Sequence, residues 1–107
     1  MKIFLDDIRN PPDSSWTVVR NAFDAISLII MGGVEFISFD HDLGLAMTGA
    51  DVAKFIEERA YLNHIQPPNY SIHSANPVGA RNIQAAMSSA NREWHKWVRK
   101  QEKSNLI

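Results

Sequence analysis

Short apolar runs alternate with helical stripes along the chain. Lys2–Leu5 is a short apolar run that stops at two aspartates, Asp6 and Asp7. Trp16–Val19 is rich in β-branched residues, and the stretch before it, Asn10-Pro11-Pro12-Asp13-Ser14-Ser15, is a loop by composition. Residues 21–31 read as a helix, with Asn21 as N-cap and Asp24 in the first turn. Phe23, Ile26 and Ile30 fall on one face of it, with Ile29 beside them, and Gly32-Gly33 ends it. Residues 34–39 carry apolar side chains at both parities, which predicts a strand covered on both sides. It ends in Asp40-His41-Asp42. A second helix is predicted from Thr48, with Asp51 three residues on as a capping box and Val52, Phe55, Ile56 and Ala60 as its buried stripe. Pro67-Pro68 breaks the chain, and residues 70–73 form a further strand-like run. Asn76 then caps, and Pro77 opens, a third helix. Ile83, Met87, Ala90, Trp94, Trp97 and Val98 continue its stripe, so it either runs to about residue 100 or breaks near Ser88-Ser89.

This alternation predicts an α/β fold with about four mainly parallel strands and three or four helices. The first connection, residues 8–15, is too short for an ordinary crossover helix, so the sheet is a reduced version of a doubly wound one.

Size and composition narrow the class. At 107 residues the chain is expected to form a single domain, residues 1–107, with one core. No apolar run is long enough to span a membrane, and the opening run is too short for a signal peptide, so a cytoplasmic location is expected. With no cysteine there is no disulfide, thiolate metal site or cysteine nucleophile. The net charge of −1 hides an asymmetry. Residues 91–107 form a basic C-terminal helix or tail that carries Arg92, Lys96, Arg99, Lys100 and Lys103 against Glu93 and Glu102. A solvated helix face is the expectation there. Trp94 and Trp97 are expected to pack on the core; His64 and His95 receive no role. Three tryptophans and an exposed C-terminal helix leave a homodimer open.

Three of the strands end in reactive polar residues: Asp6-Asp7 with Arg9, Asp40-His41-Asp42, and His73-Ser74 with Asn76. Open α/β sheets bind ligands at the carboxyl ends of their strands, so parallel strands would bring all three clusters to one edge. Converging carboxylates repel unless a cation intervenes. Asp6, Asp7 and Asp40 are therefore the expected ligands of a divalent metal, Mg²⁺ or Mn²⁺. His41 and His73 are candidate proton donors, with Asp42 orienting His41 or completing the metal shell. Arg9 is a candidate phosphate grip, and Ser74 and Asn76 lie where a helix N-terminus offers free amides to a phosphate.

Taken in order, Asp6-Asp7 with Arg9 and the Pro11-Pro12 pair, Phe39-Asp40-His41-Asp42-Leu43-Gly44, and His73-Ser74-Ala75-Asn76-Pro77-Val78-Gly79 resemble the cyclic-phosphate-processing receiver-like domains of bacteria and phages. The resemblance covers roughly residues 1–90. It implies a reduced receiver-like, flavodoxin-like three-layer sandwich with a metal at its acidic pocket, acting on nucleotides with cyclic phosphates. Asp6 and Asp7 fall where a receiver keeps its metal-binding acids and Asp40 where it keeps its phosphoacceptor. His41, Asp42, His73 and Asn76 match positions of this subfamily. One departure is that no strand follows the third helix and no lysine ends a strand, which argues against phosphoryl relay through Asp40. The expected function is thus a metal-dependent phosphodiesterase acting on a cyclic phosphate in a nucleotide or RNA end. The alternatives are a module that sequesters a phosphorylated nucleotide messenger without cleaving it, and a phosphoacceptor receiver.

Overall fold

In the computed structural model, residues 1–105 are described. The strands are β1 (Lys2–Leu5), β2 (Trp16–Val19), β3 (Phe36–Phe39) and β4 (Asn69–Ile72); the helices are α1 (Ala22–Met31), α2 (Gly49–Asn63) and α3 (Pro77–Asn105). The sheet has the order β2-β1-β3-β4, and every pairing is parallel. The receiver-like α/β layout expected from the sequence is present. Between β1 and β2 the chain crosses over as an irregular loop, without a helix.

The helix ends follow their caps. The Asn21 side chain accepts the Asp24 amide at 2.9 Å. Thr48 and Asp51 close the reciprocal capping box at the start of α2. Gly32 leaves α1 with φ 90°, a conformation open to glycine at little cost. Helix α3 does not break at Ser88-Ser89; it continues through the basic segment to Asn105. Leu106 and Ile107 lie outside the described residues. Among the described residues, no helix is long and apolar enough to cross a membrane.

The strands alternate, so each contributes two sets of side chains. Ile3, Leu5, Val19, Ile37 and Phe39 form one cluster with Ala22 and Ala25 of α1, Val52 and Ile56 of α2, and Ile83 and Met87 of α3. Tyr70 and Ile72 of β4 pack on the same side. All three helices therefore cover one face of the sheet. The other face carries Phe4, Trp16, Phe36, Ser38 and Ser71, and among the described residues no helix lies on it. Its cover is a set of rings. Trp16 meets Phe4 and Phe36 edge-on at 6.0 and 5.8 Å, and the Lys2 ammonium sits 4.3 Å from the Trp16 ring centre. The third layer of the expected sandwich is thus reduced to side chains.

Two packing expectations change. In α1 the buried residues are Ala22 and Ala25, while Phe23 and Ile30 are exposed. The helix is apolar around most of its girth, so periodicity does not choose its face; the small alanines let it lie close to the sheet. Trp94 and Trp97 are half-buried, outside the main core. They stack on each other, and Trp97 stacks on His64, the left-handed C-cap of α2.

Candidate functional site

The strand register sets the site. Leu5 pairs with Val19 and with Phe39, and Phe39 pairs with Ile72. One residue further, Arg20, Asp6, Asp40 and His73 stand side by side along the carboxyl edge. The ladder continues through them, with Asp6, Asp40 and His73 donating their amides to Val19, Leu5 and Phe39. The order reverses between β1 and β3, which is where a doubly wound sheet opens a crevice.

Asp6, Asp7 and Asp40 each offer a carboxylate oxygen, and these oxygens lie within 4.8 Å of one another. They line an open pocket of about 480 Å³ with Ile8, Arg9, Asp42, Gly44 and Ala75. An all-oxygen donor set at this spacing fits a hard divalent cation. Gly44, at φ 70°, is part of the fit: a Cβ there would come within 3.0 Å of the Asp7 carboxylate.

Asp6 is buried and saturated. Its Oδ1 accepts the amides of Ile8 and Arg9 at 2.9 and 2.7 Å, and its Oδ2 accepts Arg9 Nε at 2.9 Å and His73 Nε2 at 3.0 Å. Burial alone would raise its pKa. The two amides, His73 and the Arg9 charge outweigh that and hold the carboxyl below its ordinary value. Arg9 also donates to the His73 carbonyl at 3.1 Å and lies 3.5 Å from Asp40. Its guanidinium is thus held against two of the three acids while remaining half-exposed.

The two candidate imidazoles differ. His73 does not line the pocket. Its ring crosses β3 above Ser38 and stacks on Phe4, with centres 4.4 Å apart and planes 7° apart. Nε2 donates to Asp6; Nδ1 is 2.7 Å from the Ser38 hydroxyl, which Ser71 backs at 3.2 Å. Both ring nitrogens are taken. His41 uses only Nδ1 among the described residues, 3.0 Å from Asp42 Oδ1. Asp42 is the member of that pair on the pocket wall.

Ser74 and Asn76 are occupied locally. The Ser74 hydroxyl accepts the Asn76 amide, and the Asn76 side-chain oxygen accepts the Gly79 amide as the cap of α3. The Asn76 carboxamide nitrogen then reaches Asp42 at 3.4 Å. Of the nine candidate residues, Asp6, Asp7, Arg9, Asp40 and Asp42 line the pocket; His41, His73, Ser74 and Asn76 stand behind it.

Four further residues shape the site without having been singled out for it. Ser38 is the one hydroxyl within β3, and its small size gives the His73 ring a place to lie. A polar residue in an otherwise apolar strand is the signal. Gly79 faces the His41 ring so closely that any Cβ would overlap it, and a Cβ at Gly49 would overlap the Asp40 carbonyl. A glycine inside a helix is costly without such a reason. Arg20 ties down the loop after β1, donating to the carbonyls of Asp6 and Arg9 at 3.2 and 2.6 Å and to Asn10 at 2.8 Å. No local pattern marks it.

The family model for the cyclic-phosphate processing receiver domain matches residues 1–89. No curated protein and no solved structure gives a match. The chain belongs to the cyclic-phosphate processing receiver family.

Proposed function

We propose that this member of the cyclic-phosphate processing receiver family hydrolyses a cyclic phosphodiester in a nucleotide or an RNA end. The observation that carries the reading is the meeting of Asp6, Asp7 and Asp40 within 4.8 Å in an open pocket that Arg9 also lines. Hydrolysis adds water across one P–O bond of the ring and yields a phosphomonoester and a free hydroxyl.

Asp7 and Asp40, with Asp6 behind them, would hold Mg²⁺ or Mn²⁺, which when bound offsets the repulsion between the acids and an incoming phosphate and polarises it. Arg9 presents the rest of its guanidinium to the non-bridging oxygens, where charge grows as the ring opens. Its two anchors, Asp6 and the His73 carbonyl, fix its position in advance. Asp42 and His41 supply the proton transfer. The imidazole holds the Asp42 carboxylate through Nδ1, and the Asn76 amide steadies it from α3. His73 is a positioning residue: it orients Asp6 from beneath and touches no substrate.

The test is turnover of cyclic mono-, di- and trinucleotides and of 2′,3′-cyclic ends with Mn²⁺ or Mg²⁺. Activity that drops at least a hundredfold in Asp40→Asn supports hydrolysis. Absence of turnover by folded protein across the panel removes it. A second reading, capture of the nucleotide without cleavage, is favoured by one observation: neither imidazole lines the pocket. Tight binding in calorimetry, with the ligand recovered intact, would select it.

A further inference from the structure

We infer that Ile8 is the platform for the base of the bound nucleotide, so that the pocket selects nucleosides over base-free cyclic phosphates. The inference rests on the reading of the site given above and adds its specificity element. The pocket holds about 480 Å³, far more than a phosphate group fills and within the range of sites for whole small molecules. Its lining divides by chemistry. Asp6, Asp7, Arg9, Asp40 and Asp42 are charged, while Ile8, Gly44 and Ala75 are not. Only Ile8 among these three carries a large side chain, and it is 79% exposed.

A lone exposed isoleucine is ordinary on a protein surface, but this one is held. Its amide donates to Asp6 Oδ1 at 2.9 Å, in the turn that also fixes Arg9. Arg20 fastens the same loop from the β2 side through the carbonyls of Asp6 and Arg9. The backbone that carries the aliphatic group is therefore fixed, one residue from the guanidinium and two from the buried carboxylate. Leu45, 62% exposed and next to the pocket-lining Gly44, adds apolar surface on the loop after β3. A ligand that satisfies both halves of this lining has a compact anion at one end and a flat, weakly polar body at the other. A nucleoside cyclic phosphate has that form. An inositol or sugar phosphate, polar throughout, does not.

The experiment compares two probes in the presence of Mn²⁺: adenosine 2′,3′-cyclic phosphate and methyl riboside 2,3-cyclic phosphate, which lacks the base. Binding is read by calorimetry on the full chain and on Ile8→Ser and Ile8→Phe. Wild type should prefer the adenosine probe by about tenfold or more, the worth of one buried aliphatic contact. Ile8→Ser should collapse that ratio towards one, and Ile8→Phe, which can stack, should keep or raise it. Equal affinity of wild type for the two probes overturns the platform and leaves the phosphate site standing. An unchanged ratio in Ile8→Ser, with circular dichroism showing an intact fold, also overturns it. If neither probe binds wild type, the platform is overturned, while the reading of the pocket is decided by the wider panel of cyclic nucleotides.

Discussion

On the helix-covered face of the sheet, Ile3, Leu5, Ile37 and Phe39 are fully buried among side chains of all three helices. On the face without helices, β1, β2 and β3 offer Phe4, Trp16, Phe36 and Ser38, joined by His73 from the edge. The first face is held by non-directional burial, which tolerates small shifts. The second is held by a stack of rings and a hydrogen-bonded line from Ser71 through Ser38 and His73 to Asp6. Such a line fixes the direction of each group. Stability and positioning are thus divided between the two sides of one sheet.

The largest test of that division is Phe39→Ala. Emptying a sealed site among the helices should cost about 3–5 kcal/mol, a large share of the ~5–15 kcal/mol typical of a domain, measured by urea denaturation. Phe4→Ala, on the other face, should cost less, about 3 kcal/mol, since Phe4 is buried between Trp16 and His73 but among the described residues no helix closes the space it leaves. It should also weaken Mn²⁺ binding in calorimetry about tenfold, because His73 loses its platform and Asp6 its orientation. Equal stability losses at the two positions would erase the contrast.

Gly79→Ala sharpens it at the pocket. In an ordinary helix this change adds about 1 kcal/mol of stability. Here the new Cβ meets the His41 ring, so a loss of about 1–3 kcal/mol is expected. The sign of the change in melting temperature decides between the two.

The smallest effect is one of pH. The Asp6 carboxyl is held below its ordinary pKa in the folded protein, so its contribution is complete above the unfolded value and is lost as pH falls through the folded one. His73→Gln weakens one of the interactions that hold it down. The acid limb of the stability profile, read with chelator between about pH 5 and pH 2.5, should then move to higher pH. An acid limb identical to wild type would show that His73 does not support Asp6.

Much of the site was legible because its residues follow strand ends. Apolar runs located the strands, and the aspartates after them marked the edge where a parallel sheet collects ligands. Capping also read well: Asn21, Thr48 with Asp51, and Asn76 with Pro77 all start helices, since each cap is a contact between near neighbours in the chain. What could not be read was the use of each histidine. His41 and His73 have similar polar neighbours in sequence, yet among the described residues one ring keeps a nitrogen free and the other lies under Asp6 with both taken. The partners responsible, Ser38 and Phe4, come from other strands. Likewise Ser74 and Asn76 sit in the expected turn, but their polar atoms serve the start of α3.

By itself the sequence determined the order of elements, their ends and the acidic character of one sheet edge, because these depend on periodicity and on contacts within a few residues. Only the tertiary structure decided that all three helices share one face, that Asp6 is saturated while Asp7 and the Oδ2 of Asp40 remain available, and that Arg20 fastens a loop ten or more residues upstream of it. Those outcomes depend on strand order and register, which bring together groups far apart in the chain, and no local pattern encodes them.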